Sequence, residues 1–142
     1  MNAKDFLRQI NKYDRLIENK LIEAAQWRDI ANNSTTNMSG ERVGSSPNPH
    51  RTADAICKYM DLEEEARKCA DALIAAKKDV IGVIEQLNAT EYDLLHKAYV
   101  QGLSFKEIAY KCEKSYSWVT TIHKLALNHV QIILDKRSEH EK

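Results

Sequence analysis

Side chains recur at steps of three and four through Phe6, Ile10, Tyr13, Ile17, Lys20, Ala24, Trp27 and Ala31, all but Lys20 of them apolar. Residues so spaced return to one face of a helix, and the series predicts a long helix over about 3–31. A second series, Ile56, Tyr59, Glu63, Ala66, Ala70, Leu73, Lys77, Val80, Ile84 and Leu87, predicts another over about 51–87. Gly82 is its weak point, because glycine loses more backbone freedom in a helix than any other residue. Residues 32–50 hold Gly40, Gly44, Pro47 and Pro49 among many Ser, Thr and Asn, and predict a long loop. Two helices with one seam each, joined by a loop, imply an antiparallel hairpin over 1–87. A register with Trp27 level with Ile56 sets Lys20 level with Glu63, a charged pair that would fix register more than add stability.

Beyond Leu87 the pattern shortens and is punctuated by caps. Thr90 precedes Asp93 by three residues, the spacing of a capping box, so a helix is expected from near Glu91. It carries Leu94, Leu95 and Ala98 on one side and stops at Gly102, the residue type that most easily takes the left-handed conformation. Ser104 and Glu107 form a second S-x-x-E box ahead of Phe105, Ile108 and Ala109. After a brief turn, Ser115 caps a last helix striped by Val119, Ile122, Ala126, Leu127 and Val130. The expectation is an all-α chain: a long N-terminal antiparallel helical hairpin (1–87), a C-terminal three-helix helix-turn-helix domain (88–135) and a charged tail (136–142).

The opposite face of the last helix carries Tyr116, Ser117, Trp118, Thr120, Thr121 and Lys124. In a helix-turn-helix the first turns of the second helix enter the major groove, where such groups meet base edges and thymine methyls, while the preceding helix crosses the backbone. The candidate DNA-binding residues are therefore Lys106, Lys111, Lys114, Ser115, Tyr116, Ser117, Trp118, Thr120, Thr121 and Lys124. Taken singly they have plainer readings: Trp118 and Tyr116 suit the rim of a core equally well, and the lysines suit any solvated surface.

The segments Leu103-Ser104-Phe105-Lys106-Glu107-Ile108-Ala109, Ser115-Tyr116-Ser117-Trp118-Val119 and Ile122 followed by Ala126-Leu127 resemble region 4 of sigma-70-type factors. The chain as a whole resembles small phage-encoded regulators of Gram-positive bacteria, of the RinA and ArpU types of late-gene transcription activator. The loop from Ser39 to Pro47 is similar to the linker such proteins carry between two long helices. The resemblance implies sequence-specific promoter binding, with Ser117, Trp118, Thr120, Thr121 and Lys124 facing DNA. Sigma factors usually carry a charged pair just before the valine, where this chain has Ser117-Trp118.

Composition narrows the picture. Lys and Arg number 21 and so do Asp and Glu, so this chain does not coat nucleic acid by bulk charge, and any affinity for DNA must be local. With few phosphate partners, a single module would need a second copy or a protein partner. The run Asp61 to Glu65 reads as a solvated helix face. Cys57, Cys69 and Cys112 are odd in number and lack C-x-x-C spacing, which fits a reducing compartment. His123 and His129 fall on different sides of a helix, so no metal is expected there. No nucleophile and base, paired carboxylates or phosphate loop stands at catalytic spacing, so neither an enzyme nor a cofactor is expected. The charged start Met1-Asn2-Ala3-Lys4-Asp5 is unlike a secretory leader, and no apolar run is long enough for a bilayer, so cytoplasmic residence is expected. The expected partners are double-stranded promoter DNA, with RNA polymerase and a homodimer as further possibilities and no membrane. The competing class is a helical interaction module that contacts polymerase or a phage assembly partner without reading DNA.

Overall fold

The computed structural model describes residues 1–36 and 49–141, and these are all-helical, with no strand among them. The helices are α1 (Ala3–Leu7), α2 (Gln9–Thr36), α3 (Pro49–Ile84), α4 (Ala89–Leu95), α5 (Phe105–Cys112) and α6 (Tyr116–His140), and a π-helical turn (His96–Val100) continues α4. Most of the expected loop, 37–48, lies outside the described residues; its two flanks are helical, and Pro49 opens α3 at a position where a missing N–H costs nothing. The single helix expected over 3–31 is two, broken at Arg8; Asn2 caps the first through its bond from the Lys4 N–H. The helix expected over 51–87 ends at Ile84.

The chain divides into two compact units, Met1–Lys12 with Leu73–Lys142, and Tyr13–Ala72. The boundary expected at 87/88 lies inside the first of these. The reason is a shared core: Phe6, Leu7 and Ile10 from the N-terminus and Val80, Val83 and Ile84 from α3 are buried in one cluster with Leu94, Leu95, Ile108, Val119, Ala126 and Val130. Helix α6 packs against α1, α4 and α5. It also runs through 136–140, expected as a tail, where Arg137 pairs with Asp79 at 2.8 Å.

Among the described residues of the unit Tyr13–Ala72 the buried positions are alanines: Ala24, Ala31, Ala55 and Ala66. Small side chains let two helices approach closely but remove little apolar area from water. Each residue of the first sequence series is buried or half-buried. In the second series Ile56 is the exception: it is 41 % exposed, and the neighbouring Ala55 takes the seam. The expected register is corrected accordingly. Trp27 lines a groove with Asp54, Cys57 and Lys58, whereas Ile56 lies with Arg28, Ala31 and Tyr59 on the other side of the seam. Lys20 therefore pairs with Glu65 at 2.8 Å, and Glu63 with Arg28 at 3.1 Å. Both pairs are solvent-accessible, and such pairs contribute about 0–1 kcal/mol.

Candidate functional site

The candidate residues lie on α5, the turn after it and the first turns of α6. Each element is set by a local device. Ser104 accepts the Glu107 N–H at 3.2 Å, and its hydroxyl donates to the Glu107 carboxylate at 3.1 Å. The glutamate thus reaches back to the cap's side chain. Behind α5, Ile108 is fully buried. The helix ends with Glu113 in the left-handed region (φ 56°), where the Lys114 N–H donates to the Ala109 carbonyl at 3.0 Å and the Glu113 N–H to that of Tyr110 at 3.3 Å. This is the reciprocal bond pair of a Schellman stop. Ser115 then accepts the Trp118 N–H at 3.1 Å and starts α6.

The preceding helix departs from expectation at its start. The cap of α4 is Asn88, which accepts the Glu91 N–H at 2.9 Å, and Thr90 falls within the first turn. That start places Glu91 inward, 4 % exposed, with both carboxylate oxygens within 2.9 Å of His129 Nδ1. At its other end α4 passes into the π-helical turn and stops at Gly102, which has φ 74°, as expected.

Helix α6 buries Val119, Ala126 and Val130, so its opposite side is free. Ser117, Thr121 and Lys124 stand there, exposed, at the spacing of one stripe. Leu125 and Asn128, one and four residues beyond Lys124, continue that face. The hydroxyls of Thr120 and Thr121 both donate to the Ser117 carbonyl at 2.9 Å. Their protons are committed within the helix, so toward a ligand they offer oxygen lone pairs and methyl groups.

The remaining candidates take the flanks. Trp118 is half-buried against the core, beside Ala89, Thr90, Asp93 and Lys97, with the Lys114 ammonium 5.6 Å from its ring centroid. Tyr116 is 55 % exposed on the other flank, its ring 6.2 Å from that of Phe105. Phe105 in turn meets His123 at 4.8 Å, and His123 Nε2 lies 2.7 Å from the Tyr99 hydroxyl. Burial first, then the cations Lys4 and Arg8, lower the His123 pKa, and burial raises that of Tyr99. Both groups are thus held neutral near pH 7. Lys106, Lys111 and Lys114 are exposed on α5 and the turn. Tyr110 is 86 % exposed there, and its apolar ring gave no signal of that in the sequence.

The site therefore brings together a polar stripe (Ser117, Thr121, Lys124) and three nearby lysines, with two aromatic flanks. Among the described residues no cluster of His, Cys, Asp or Glu could hold a metal ion, and no helix is long and apolar enough to cross a membrane. No protein-family model matches the chain, and no curated protein or solved structure is significantly similar to it.

Proposed function

We propose that this chain is a sequence-specific DNA-binding regulator of transcription, of the phage-encoded kind its sequence resembles. In this reading α5, the Glu113 turn and α6 act as a sigma-region-4-like helix-turn-helix, and the long helices before them act as an antiparallel hairpin. The observation that carries the proposal is the stripe Ser117, Thr121 and Lys124, exposed on the first turns of a capped helix whose other side is core. Solvent-facing hydroxyls and a cation at a helix entry suit major-groove edges. Lys106, Lys111 and Lys114 supply phosphate contacts from the preceding helix and turn.

The state of the Thr121 hydroxyl makes the reading specific. With its proton held by Ser117, Thr121 accepts from an adenine or cytosine amino group, or lays its methyl on a thymine. The test is fluorescence anisotropy with promoter fragments selected from a random pool by the full chain. Thr121→Val should keep a preference for thymine at the contacted position, and Thr121→Ser a preference for an amino-bearing base. One of the two should lose about 1–3 kcal/mol of discrimination. Selection that yields no enriched sequence at low salt, with or without RNA polymerase, overturns the proposal.

The balanced total charge favours a second reading, an interaction module that binds polymerase without reading DNA. Under it, Ser117→Ala, Thr121→Ala and Lys124→Ala together leave partner binding intact and no sequence preference exists to be lost.

A further inference from the structure

Helix α3 carries two heptad seams side by side. The first, Ala55, Tyr59, Leu62, Ala66, Cys69, Leu73, Ala76 and Val80, is buried or half-buried throughout. The second lies one residue further on, about 100° round the helix. It runs Ile56, Met60, Glu63, Arg67, Ala70 and Ile74, again in steps of four and three. Its large apolar members are open to solvent: Ile56 is 41 %, Met60 58 % and Ile74 55 % exposed. A helix with two adjacent seams is built to touch two neighbours, since a strict a/d stripe is what a facing helix packs into.

The order of residues along the open seam identifies that neighbour. Read from either end toward the middle, it pairs Ile56 with Ile74, Met60 with Ala70 and Glu63 with Arg67. If Ile56, Glu63 and Ala70 are the d positions, then Met60, Arg67 and Ile74 are the a positions. An antiparallel copy of the same helix then places every a against a d, as antiparallel coiled coils do. Both central layers become Glu63 against the partner subunit's Arg67, of opposite charge. A parallel in-register pair would set Glu63 against Glu63 and Arg67 against Arg67. Glu63 keeps an oxygen for this contact, because its bond to Arg28 uses Oε1. Arg67, whose side chain is 73 % exposed, reaches no further than Glu64 on its own helix, an exposed pairing readily exchanged.

We propose that the Ile56–Ile74 face of α3 is a homodimer interface, formed antiparallel about a two-fold axis with a second copy of this chain. The interface is isologous, so each change is felt twice. The alanine seam of the unit Tyr13–Ala72 buries little apolar area, and covering Ile56 and Met60 adds what that seam lacks.

The charged layers give the test, sedimentation equilibrium of the full-length protein with circular dichroism as the check on folding. The wild-type chain should have the mass of a dimer. Arg67→Glu turns both layers into like-charge contacts and should weaken the dimer at least about tenfold, since each pair goes from attraction to repulsion. Glu63→Arg should do the same. An equimolar mixture of the two variants should recover the wild-type dissociation constant, because each then supplies the charge the other lacks. That recovery cannot arise from damage to either fold. A monomeric wild-type chain, variants that remain dimeric, or a mixture that stays dissociated overturns the proposal, the last by showing that these layers do not face each other. DNA binding is not read in this experiment, so its outcome is separate from that of the functional proposal.

Discussion

Glu113 is the residue on which the turn between α5 and α6 rests, and changing it to glycine has a sign that the geometry fixes. At φ 56° a Cβ meets the neighbouring carbonyl, which costs an L-residue about 1–2 kcal/mol. Glycine escapes that cost but gives up about 0.5–1 kcal/mol through its greater freedom in the unfolded chain. Removing a carboxylate from the negative end of α5 adds about 0.3 kcal/mol in favour of the variant. Glu113→Gly should therefore stabilise the unit by about 1 kcal/mol and raise Tm by about 3–5 °C. Glu113→Ala keeps the Cβ, so it should gain only the small charge term. The assay is urea and thermal unfolding followed by Trp118 emission in a Trp27→Phe background, since Trp118 lies beside Lys114 at the turn. Were residue 113 at a negative φ, glycine would lower stability by about 0.5–1 kcal/mol. A fall in Tm for Glu113→Gly, or equal gains for Gly and Ala, would refute the left-handed turn.

Gly102 is the converse case. A Cβ there meets no atom within 4 Å, yet φ is 74°, so Gly102→Ala should cost about 1–2 kcal/mol through backbone strain alone, read as a lower urea midpoint at unchanged m-value. His123 should make stability pH-dependent. Its folded pKa lies below the unfolded value, so the unfolded chain binds the proton first. The stabilisation is complete above about pH 6.5 and is lost as pH falls from there toward the folded pKa. Tm measured from pH 7.5 down to 5.5 should fall more steeply for the wild type than for His123→Gln, and parallel curves would count against a buried neutral ring. Lys124→Ala should flatten the dependence of log K on log salt by about 0.9, the contribution of one phosphate, if Lys124 meets the backbone. An unchanged slope with altered base preference would instead place Lys124 on a base edge.

Most of the candidate site was legible in the sequence because its devices are local. Ser104, Ser115 and Gly102 cap or stop helices through bonds that reach three to six residues, and such bonds follow from residue type and spacing. The same holds for the outward stripe of Ser117, Thr121 and Lys124, fixed once Val119 and Ala126 are known to face inward. Thr90 was the wrong cap because Asn88, two residues earlier, is an equally good one, and the choice fell to the start that buries Glu91 against His129. That pairing joins residues 38 apart, and no local pattern records it.

By itself, then, the sequence determined the all-helical class of the described residues and the punctuation around α5 and α6, which depend on periods of three and four and on local caps. Tertiary structure decided what periodicity cannot. Ala55 rather than Ile56 occupies the seam, Lys20 meets Glu65 while Glu63 meets Arg28, and the ends of α1 and α3 share a core with α6. Two faces of a helix one residue apart carry the same spacing, and which of them is covered depends on the size of the side chains across the gap. A row of alanines admits the nearer backbone; an isoleucine is left outside.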